Sequence, residues 1–234
     1  MASLIKNQII KRLSKFVKNL SSNQINLSTF KGEGELSNIE LDERALEEVT
    51  ELPTWLKIKK ANCTRVFIKI PWTGLKTQPI QLQLDDVTIQ IETCDELRNL
   101  NESENLSPQT GDSLAGKYGF THRVIDGISL SITNVTFTVK STGFHASIFL
   151  PTIDIYSTTP VGKKTDSLKT TRLRDSTKEH ILLFKEISWP TARIEAASND
   201  NSMVAASIRL IANSSRIRII MKKSLNGTFI EYWK

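Results

Sequence analysis

The sequence predicts a mainly β protein that begins with one amphipathic α-helix. The first observation is that apolar residues alternate with polar ones in many successive runs from Thr64 onward, which is typical of strands with one apolar face. The second observation is that the apolar residues between Ser3 and Leu20 recur at helical spacing instead. We expect about a dozen strands in all, nearly every one with a single apolar face.

The predicted helix from Ser3 to Leu20 has one broad apolar face, and its basic residues lie mostly elsewhere. A basic amphipathic helix fits two placements. It docks on a core with its basic face in water, or it lies near an anionic membrane surface, and the two placements are compatible. The basic residues proposed to be membrane-proximal are Lys6, Lys11, Arg12, Lys15 and Lys18.

Short elements follow this helix. Gln24 to Thr29 and Leu36 to Leu41 are predicted strands, joined by a glycine-containing turn. A short helix is predicted next, with Asp42 as its N-cap residue and Pro53 just beyond its end. Trp55 to Lys60 is predicted as a third strand.

Three runs of strict alternation lie between Thr64 and Glu92. Asp85-Asp86 separates the second run from the third, and we predict a two-residue hairpin loop there. Thr133-Asn134 separates two later runs and is predicted as a turn of the same kind. Residues that flank such a loop are cross-strand neighbours, so the apolar face continues from one strand to the next.

Two long polar loops are predicted, Asp95 to Thr121 and the basic Ser157 to Glu179. Asn213-Ser214 and Asn226-Gly227 are predicted turns between later strands. The chain ends inside its last predicted strand, so we expect it to be a piece of a longer protein. The remaining predicted strands are Phe144 to Tyr156 (bent or interrupted at Pro151), Ile181 to Trp189, Thr191 to Ala197, Met203 to Ile211, Arg216 to Met221 and Thr228 to Trp233.

Composition and motifs favour some function classes over others. The 234 residues carry a formal net charge of +6, which favours anionic partners without separating membranes from nucleic acid. Aromatic content is only 7%, and the aromatic residues lie in apolar contexts, so no nucleic-acid partner is expected. His122, His145 and His180 have no cysteine or carboxylate nearby at metal-ligand spacing. The sequence also contains no recognisable motif that pairs a nucleophile with a base. We therefore expect no metal site, no cofactor and no enzyme.

The two cysteines and the hydropathy pattern indicate the compartment. Cys63 and Cys94 lack metal-ligand spacing and are interpreted as reduced thiols of a cytosolic protein. Charged and amide residues interrupt the apolar N-terminus, so it does not resemble a secretory signal. No run approaches the roughly 18 apolar residues of a membrane span, so we expect a chain that does not cross a bilayer.

The extent of the apolar face raises the question of what covers it. An open sheet of a dozen strands is more than ~50 Å wide, whereas one helix has a diameter of about 10–12 Å and covers two or three strands. The sheet could fold on itself as a sandwich, close as a barrel, or curl into a trough that holds an apolar ligand. Periodicity does not distinguish these three solutions.

Short motifs within residues 1 to about 91 resemble the chorein N-terminal domain. This domain opens the bridge-like lipid transfer proteins, the superfamily of vacuolar protein sorting thirteen and autophagy two. The similarity is strongest to the syntaxin-interacting, endosomal branch of that superfamily. The motifs are NL at 19–20, INL at 25–27, GELSNIEL at 34–41, LP at 52–53, IKIPW at 68–72 and LKTQPI at 75–80.

The resemblance implies the trough. The expected fold is a large, strongly curved antiparallel sheet forming an open apolar groove, with a cap at residues 1–92 and continuing groove repeats at residues 93–234. The implied function is non-enzymatic transfer of glycerolipid between membranes at organelle contact sites, in endosome-to-Golgi retrograde traffic. The implied location is cytoplasmic and peripheral, at early endosomes and endocytic vesicles.

The resemblance also implies partners and cargo. Glycerophospholipids would be the cargo, membrane surfaces the partners, and trafficking proteins of the syntaxin, Rab or tether type would bind elsewhere in a longer protein. Two other classes stay open: a β-sandwich interaction domain with a dry core, and a membrane-surface adaptor that holds no acyl chain. The residues expected to line the groove are Ile68, Ile70, Leu82, Leu84, Val87, Ile89, Ile91, Ile128, Leu130, Ile132, Val135, Phe137, Val139, Ile208, Leu210, Ile217 and Ile219.

Overall fold

The computed structural model describes residues 11, 13–18, 26–28, 32–98, 118–175, 177, 179–199, 207–225 and 230–233. The helices with defined bounds are α1 (Glu43–Val49) and α2 (Phe120–Asp126). The strands are β1 (Asn26–Ser28), β2 (Glu33–Glu40), β3 (Leu56–Lys69), β4 (Gln81–Thr93), β5 (Ser129–Lys140), β6 (Phe144–Ser157), β7 (Arg172–Asp175), β8 (His180–Trp189), β9 (Ala192–Ser198), β10 (Ile208–Ala212), β11 (Ser215–Ser224) and β12 (Ile230–Trp233).

These strands form one open sheet, and the mainly β fold with an open groove is confirmed. The main path of neighbours runs β1-β2-β3-β4-β5-β6-β8-β11-β12, with β7, β9 and β10 attached beside it. One detail of the prediction is wrong, because β4 and β5 are parallel and the sheet is therefore mixed. Parallel neighbours need a long crossover, and α2 lies in the connection that supplies it.

The strands β8 and β9 form one interrupted line, and so do β10 and β11. Both β8 and β9 pair with the same edge of β6 in one unbroken register. On the edge away from β6, β10 pairs with β9 and β11 pairs with β8, again in one register. Pro190, which cannot donate to a ladder, marks the first interruption. The turn predicted at Asn213-Ser214 is wrong, because the chain continues in the same direction there.

The hairpins predicted at Asp85-Asp86 and Thr133-Asn134 are also wrong. Both pairs lie inside continuous strands, β4 and β5. Asp86 and Asn134 each have a φ of 52°, in the left-handed region. Such a residue bends its strand and shifts the alternation by one position. The apolar side chains before and after it therefore stay on one face, as they would across a hairpin.

The bent positions line up across the sheet. Asn38 also has a positive φ, 54°, and the pairs on either side of it place it opposite Thr64. The flanking pairs likewise place Thr64 opposite Asp86, Asp86 beside Asn134, and Asn134 opposite Pro151. We call this line the crease. It runs perpendicular to the strands, and the interruptions of β8–β9 and β10–β11 lie on its continuation.

Side-chain hydrogen bonds connect neighbouring strands at the crease. The Asp86 carboxylate accepts from Thr64 Oγ1 at 3.0 Å and from Asn134 Nδ2 at 2.9 Å. The adjacent Asp85 carboxylate accepts from Thr133 Oγ1 at 2.6 Å, and this bond contributes most to lowering the pKa of Asp85. Three strands are thus joined where their backbones bend.

The N-terminal helix is shorter than predicted. Lys11 and Leu13 are helical, but residues 14–16 form a turn, and Val17 makes an isolated β-bridge with Leu41. The prediction of a helix up to Leu20 is therefore wrong at its C-terminal end. Residues 3–10, 12, 19 and 20 of that predicted helix lie outside the described residues.

Other predictions near the start and in the loops have mixed outcomes. The short helix α1 is confirmed, and the Asp42 carboxylate accepts from the Ala45 N–H at 2.9 Å as an N-cap. Trp55 to Lys60 is not a separate strand, because β3 continues to Lys69. The second predicted loop contains β7, and the first ends in α2. Residues 99–117, 203–206 and the turn at 226–227 lie outside the described part.

Candidate functional site

Cross-strand pairing aligns apolar side chains in rows on one face of the sheet. One row lies on each side of the crease, and we call them the first wall and the second wall. The first wall consists of Ala61, Ile89, Phe137, Ile148, Ile194 and Leu210. The second wall consists of Ile68, Leu82, Leu130, Ile155, Ile187 and Ile217. Because the strands bend between them, the two walls form the sides of a groove.

Burial of the walls falls steeply along the sheet. At the β3 end, Ala61 is 1% exposed and Ile68 is 2% exposed. At the other end, Leu210 is 56% exposed and Ile217 is 49% exposed. Residues of β4, β5 and β6 on this face are mostly partly buried. The groove therefore begins as a packed core and becomes bare apolar surface.

The packed end is covered by the protein itself. Val17 and Leu41 belong to the same apolar cluster as the β2 and β3 side chains, and Leu46 of α1 packs against it. Leu75 and Trp72, from the segment that follows β3, also join this cluster. These contacts need no ligand.

The predicted groove residues occupy different positions along this gradient. Ile68, Ile70, Val87 and Val135 are buried in the core cluster. Ile208, Leu210 and Ile217 are strongly exposed. For all of the predicted groove residues, a role in holding a ligand stays a prediction. The partly buried members are Leu82, Leu84, Ile89, Ile91, Ile128, Leu130, Ile132, Phe137, Val139 and Ile219.

Sequence reasoning missed the part of the walls contributed by β6, β8 and β9. The signal was present, because Ile148 and Leu150 precede Pro151 with one parity and Ile153 and Ile155 follow it with the other. This is the same one-position shift as at Asp85-Asp86. It places all four side chains on the groove face.

The described members of the predicted basic group have different surroundings, and their membrane-proximal role stays a prediction. Lys11 and Lys15 are exposed, whereas Lys18 forms an ion pair with Glu43 of α1. Lys6 and Arg12 lie outside the described residues. Lys18 therefore helps dock its segment on α1.

The helix α2 crosses the groove face beyond the second wall. On one side, the Tyr118 N–H donates to the Leu225 carbonyl after β11 at 2.8 Å. On the other side, the Ser129 N–H donates to the Ile80 carbonyl before β4 at 2.9 Å. Val124 is buried in the same apolar cluster as groove-face residues. The segment from Tyr118 to Ser129, which contains α2, thus connects the ends of β11 and β4 at this end of the strands.

Charged side chains meet the apolar surface under α2. Lys185 faces the groove two residues before Ile187, and its ammonium donates to the Ile128 carbonyl at 2.8 Å. Lys223 also faces the groove and lies 2.5 Å from Asp126 of α2. Arg172 is paired with Leu183 and shares this face. We call Lys185, Lys223, Arg172 and Asp126 the rim cluster.

The sequence prediction missed the rim cluster. Lys185 is the one charged residue among the odd-numbered positions from Ile181 to Trp189, which are otherwise apolar, and this signal was available in the sequence. Arg172 was seen only as part of a basic loop. Their meeting with Asp126 depends on the crossover that carries α2.

Two features are absent from the described residues. Within the described ranges, no group of three or more histidine, cysteine, aspartate or glutamate side chains is placed to hold a metal ion. In the same part of the chain, no helix has the length and hydropathy needed to span a membrane.

Comparison with known proteins identifies relatives along nearly the whole chain. Residues 1–230 match the family model for bridge-like lipid transfer protein family member 3A/B. Family member 3B from Xenopus laevis is 46% identical over 228 residues, covering 96% of this chain and 16% of that protein. Human family member 3A is 45% identical over 226 residues, covering 95% of this chain and 15% of that protein.

A shorter match links the chain to a second group of proteins. Intermembrane lipid transfer protein vps13F from Dictyostelium discoideum is 34% identical over 87 residues, which are 37% of this chain and 2% of that protein. The chain thus spans only a small part of the length of every relative named here.

Proposed function

The chain belongs to the family of bridge-like lipid transfer protein family member 3A/B, and from this premise we propose that its groove holds the acyl chains of glycerophospholipids in transit between membranes. The observation that carries the proposal is the bare apolar surface of both walls at β10 and β11. Apolar surface on the inside of an open groove is suited to an apolar ligand.

The proposed mechanism is passive and non-enzymatic. Each methylene that leaves water for an apolar surface gains about 0.8 kcal/mol, which keeps an acyl chain against the walls. The walls consist of aliphatic and aromatic side chains that make no directional bond to a hydrocarbon. Movement along the groove exchanges one apolar contact for another, so sliding has a low barrier. Headgroups would stay at the open, hydrated side.

The cellular setting is also a proposal. Residues 1–92 would form the cap of a longer groove and residues 93–234 its continuation. The longer protein would act cytoplasmically at organelle contact sites, with transfer in endosome-to-Golgi traffic and partners of the syntaxin, Rab or tether type. The motif resemblance supports this setting. The exposed Lys11 and Lys15 are consistent with an anionic membrane near the N-terminal end.

The first test is native mass spectrometry with lipid extraction on the purified chain. We expect copurified glycerophospholipid, with more than one molecule per chain. The variant Leu210→Asp/Ile217→Lys should lose most of this lipid, because each wall then carries a charge that an acyl chain would have to dehydrate.

The matched control is Ile211→Asp. Ile211 is next to Leu210 on β10, is 71% exposed and faces the opposite side of the sheet. We expect wild-type lipid loading for this control. Equal loss in both variants, or a wild-type chain that carries no lipid, would contradict the proposed function. Salt-sensitive vesicle binding without lipid extraction would favour a surface adaptor instead.

A further inference from the structure

The rim cluster contains more positive than negative charge. Lys185, Lys223 and Arg172 are cations, and Asp126 is the one carboxylate among the four. That carboxylate is already engaged, because Lys223 Nζ lies 2.5 Å from its Oδ1 and Tyr118 Oη donates to its Oδ2 at 2.9 Å. Lys185 and Arg172 are therefore left without a carboxylate of their own in the described part of the chain.

Hydrogen-bond donors of these two cations are also unused. The Lys185 ammonium has three N–H groups, and within the described residues it donates one bond, to Ile128 O. Arg172 donates through Nη2 to the Arg123 carbonyl at 3.2 Å. Its Nε–H is buried and has no acceptor among the described residues. A buried donor without an acceptor is unfavourable, so the cluster is suited to an acceptor from outside the chain.

The electrostatics of Lys185 agree with this geometry. Burial, with smaller contributions from Arg172 and Lys223, lowers the pKa of Lys185 to about 8, although Asp126 opposes the shift. Lys185 is therefore still mostly protonated at neutral pH. A bound anion would stabilise the charged form.

The position of the cluster defines what kind of anion fits. Lys185 precedes Ile187 by two residues on the same face, about 7 Å along the strand. Ile155 and Ile217 flank Ile187 on the neighbouring strands. A ligand with an anionic group at Lys185 therefore has room for its apolar portion on the second wall.

We propose that Lys185 and Arg172 bind the phosphate of a glycerophospholipid headgroup while the acyl chains of that lipid lie on the second wall. Phosphate offers several acceptor oxygens, and charge-assisted bonds from lysine and arginine to it are short and strong. This inference rests on the proposed function and adds the chemical group that sets cargo preference. It distinguishes a phospholipid from a neutral lipid with the same acyl chains.

The test is a competition between two lipids that differ only in the headgroup. The chain is incubated with vesicles containing equal amounts of dioleoylphosphatidylcholine and dioleoylglycerol, and bound lipid is quantified by native mass spectrometry and extraction. We expect Lys185→Met to lower the ratio of bound phosphatidylcholine to diacylglycerol about tenfold, as the loss of one charged hydrogen bond predicts. Lys222→Met, which removes the same charge from the opposite face of β11, should keep the wild-type ratio.

The outcomes separate the two proposals. An unchanged ratio in Lys185→Met, with both lipids still bound, overturns the phosphate site and leaves the groove proposal in place. A wild-type chain that binds neither lipid overturns both. A parallel calorimetric titration uses inorganic phosphate alone. If Lys185→Met abolishes phosphate binding but does not alter the lipid ratio, the cluster takes free phosphate and the headgroup assignment is wrong.

Discussion

At the scale of single residues, Lys185 is a charged side chain in conflict with its apolar surroundings. Its neighbours on the groove face are Leu183 and Ile187, and an aliphatic side chain at position 185 would continue the wall. Burial lowers the pKa of this lysine to about 8, from an ordinary value of 10.5. The folded protein therefore carries a charge that its environment disfavours.

The pH dependence of stability follows from that shift. Between pH 8 and 10.5 the unfolded chain binds more protons at position 185 than the folded chain does, so the lysine makes stability rise with pH across this window. Below pH 8 the folded state carries the full penalty of the buried charge. Phosphatidylcholine binding should show the opposite trend and weaken above pH 8. The charged groups that act on Lys185 are Asp126, Arg172 and Lys223.

We expect Lys185→Met to raise the free energy of unfolding at pH 7 by about 1–2 kcal/mol. Removing the disfavoured charge gains roughly 3 kcal/mol, and losing the bond to Ile128 O costs about 1 kcal/mol or somewhat more. Urea unfolding at pH 7 and pH 9.5 measures this effect, with Lys222→Met as the control. A variant that is less stable than the wild type at pH 7 would contradict this expectation, because the bond to Ile128 O would then outweigh the penalty of the buried charge.

At the scale of secondary-structure elements, the crease explains why the long strands change parity in the middle. The registers of β2 to β6 run unbroken through the crease, so a left-handed residue changes the parity there without adding a residue to the ladder. Asn38, Asp86 and Asn134 supply that conformation, which asparagine and aspartate adopt more readily than other residues with a side chain. Pro151 and Pro190 occupy the same level in neighbouring strands.

The crease is tested at Asn134, whose φ of 52° disfavours a β-branched side chain. We expect Asn134→Val to lower the free energy of unfolding by about 2–3 kcal/mol, from backbone strain and the lost bond to Asp86. Asn134→Gly loses the same bond but permits the conformation, so it should cost about 1 kcal/mol. Urea unfolding of both variants measures the difference. Equal losses would mean that the backbone conformation contributes little.

The parallel pair β4–β5 has a consequence for the groove. Parallel strands cannot be joined by a short turn, so the chain must cross from one end of the sheet to the other. The return segment carries α2 across the groove face and brings Asp126 to Lys223. The rim cluster is thus a product of the crossover.

At the scale of the whole molecule, the apolar face of the sheet changes from a packed protein core to an exposed surface along its width. Near β2 and β3 the apolar face is covered by Val17, Leu41 and α1. Near β10 and β11 it is exposed. A dry sandwich would bury both ends alike.

This gradient predicts a gradient in sensitivity to charge. We expect Ile68→Asp to lower the free energy of unfolding by at least about 3 kcal/mol, because an unpaired carboxylate would be buried in the core. Leu210→Asp should change it by no more than about 0.5–1 kcal/mol, since the side chain is already half exposed. Thermal and urea unfolding of the two variants measure these two losses of stability. Comparable destabilisation would show that another part of the protein covers β10.

The sequence by itself determined which residues of each strand are apolar and share a face, because side-chain alternation is a local property of the chain. It also indicated the family through the motifs between residues 34 and 80. It could not separate a hairpin from a left-handed residue within one continuous strand at Asp85-Asp86, since either one shifts the alternation by one position and keeps the apolar face continuous.

Only the tertiary structure decided between them, because the two differ in which strands become neighbours, and neighbours come from distant parts of the chain. The same is true of the parallel pairing of β4 and β5 and of the path of α2. Residues 126, 172, 185 and 223 are far apart in sequence, so no local pattern could bring them together. Their meeting at the edge of an apolar wall is set by the register of the whole sheet.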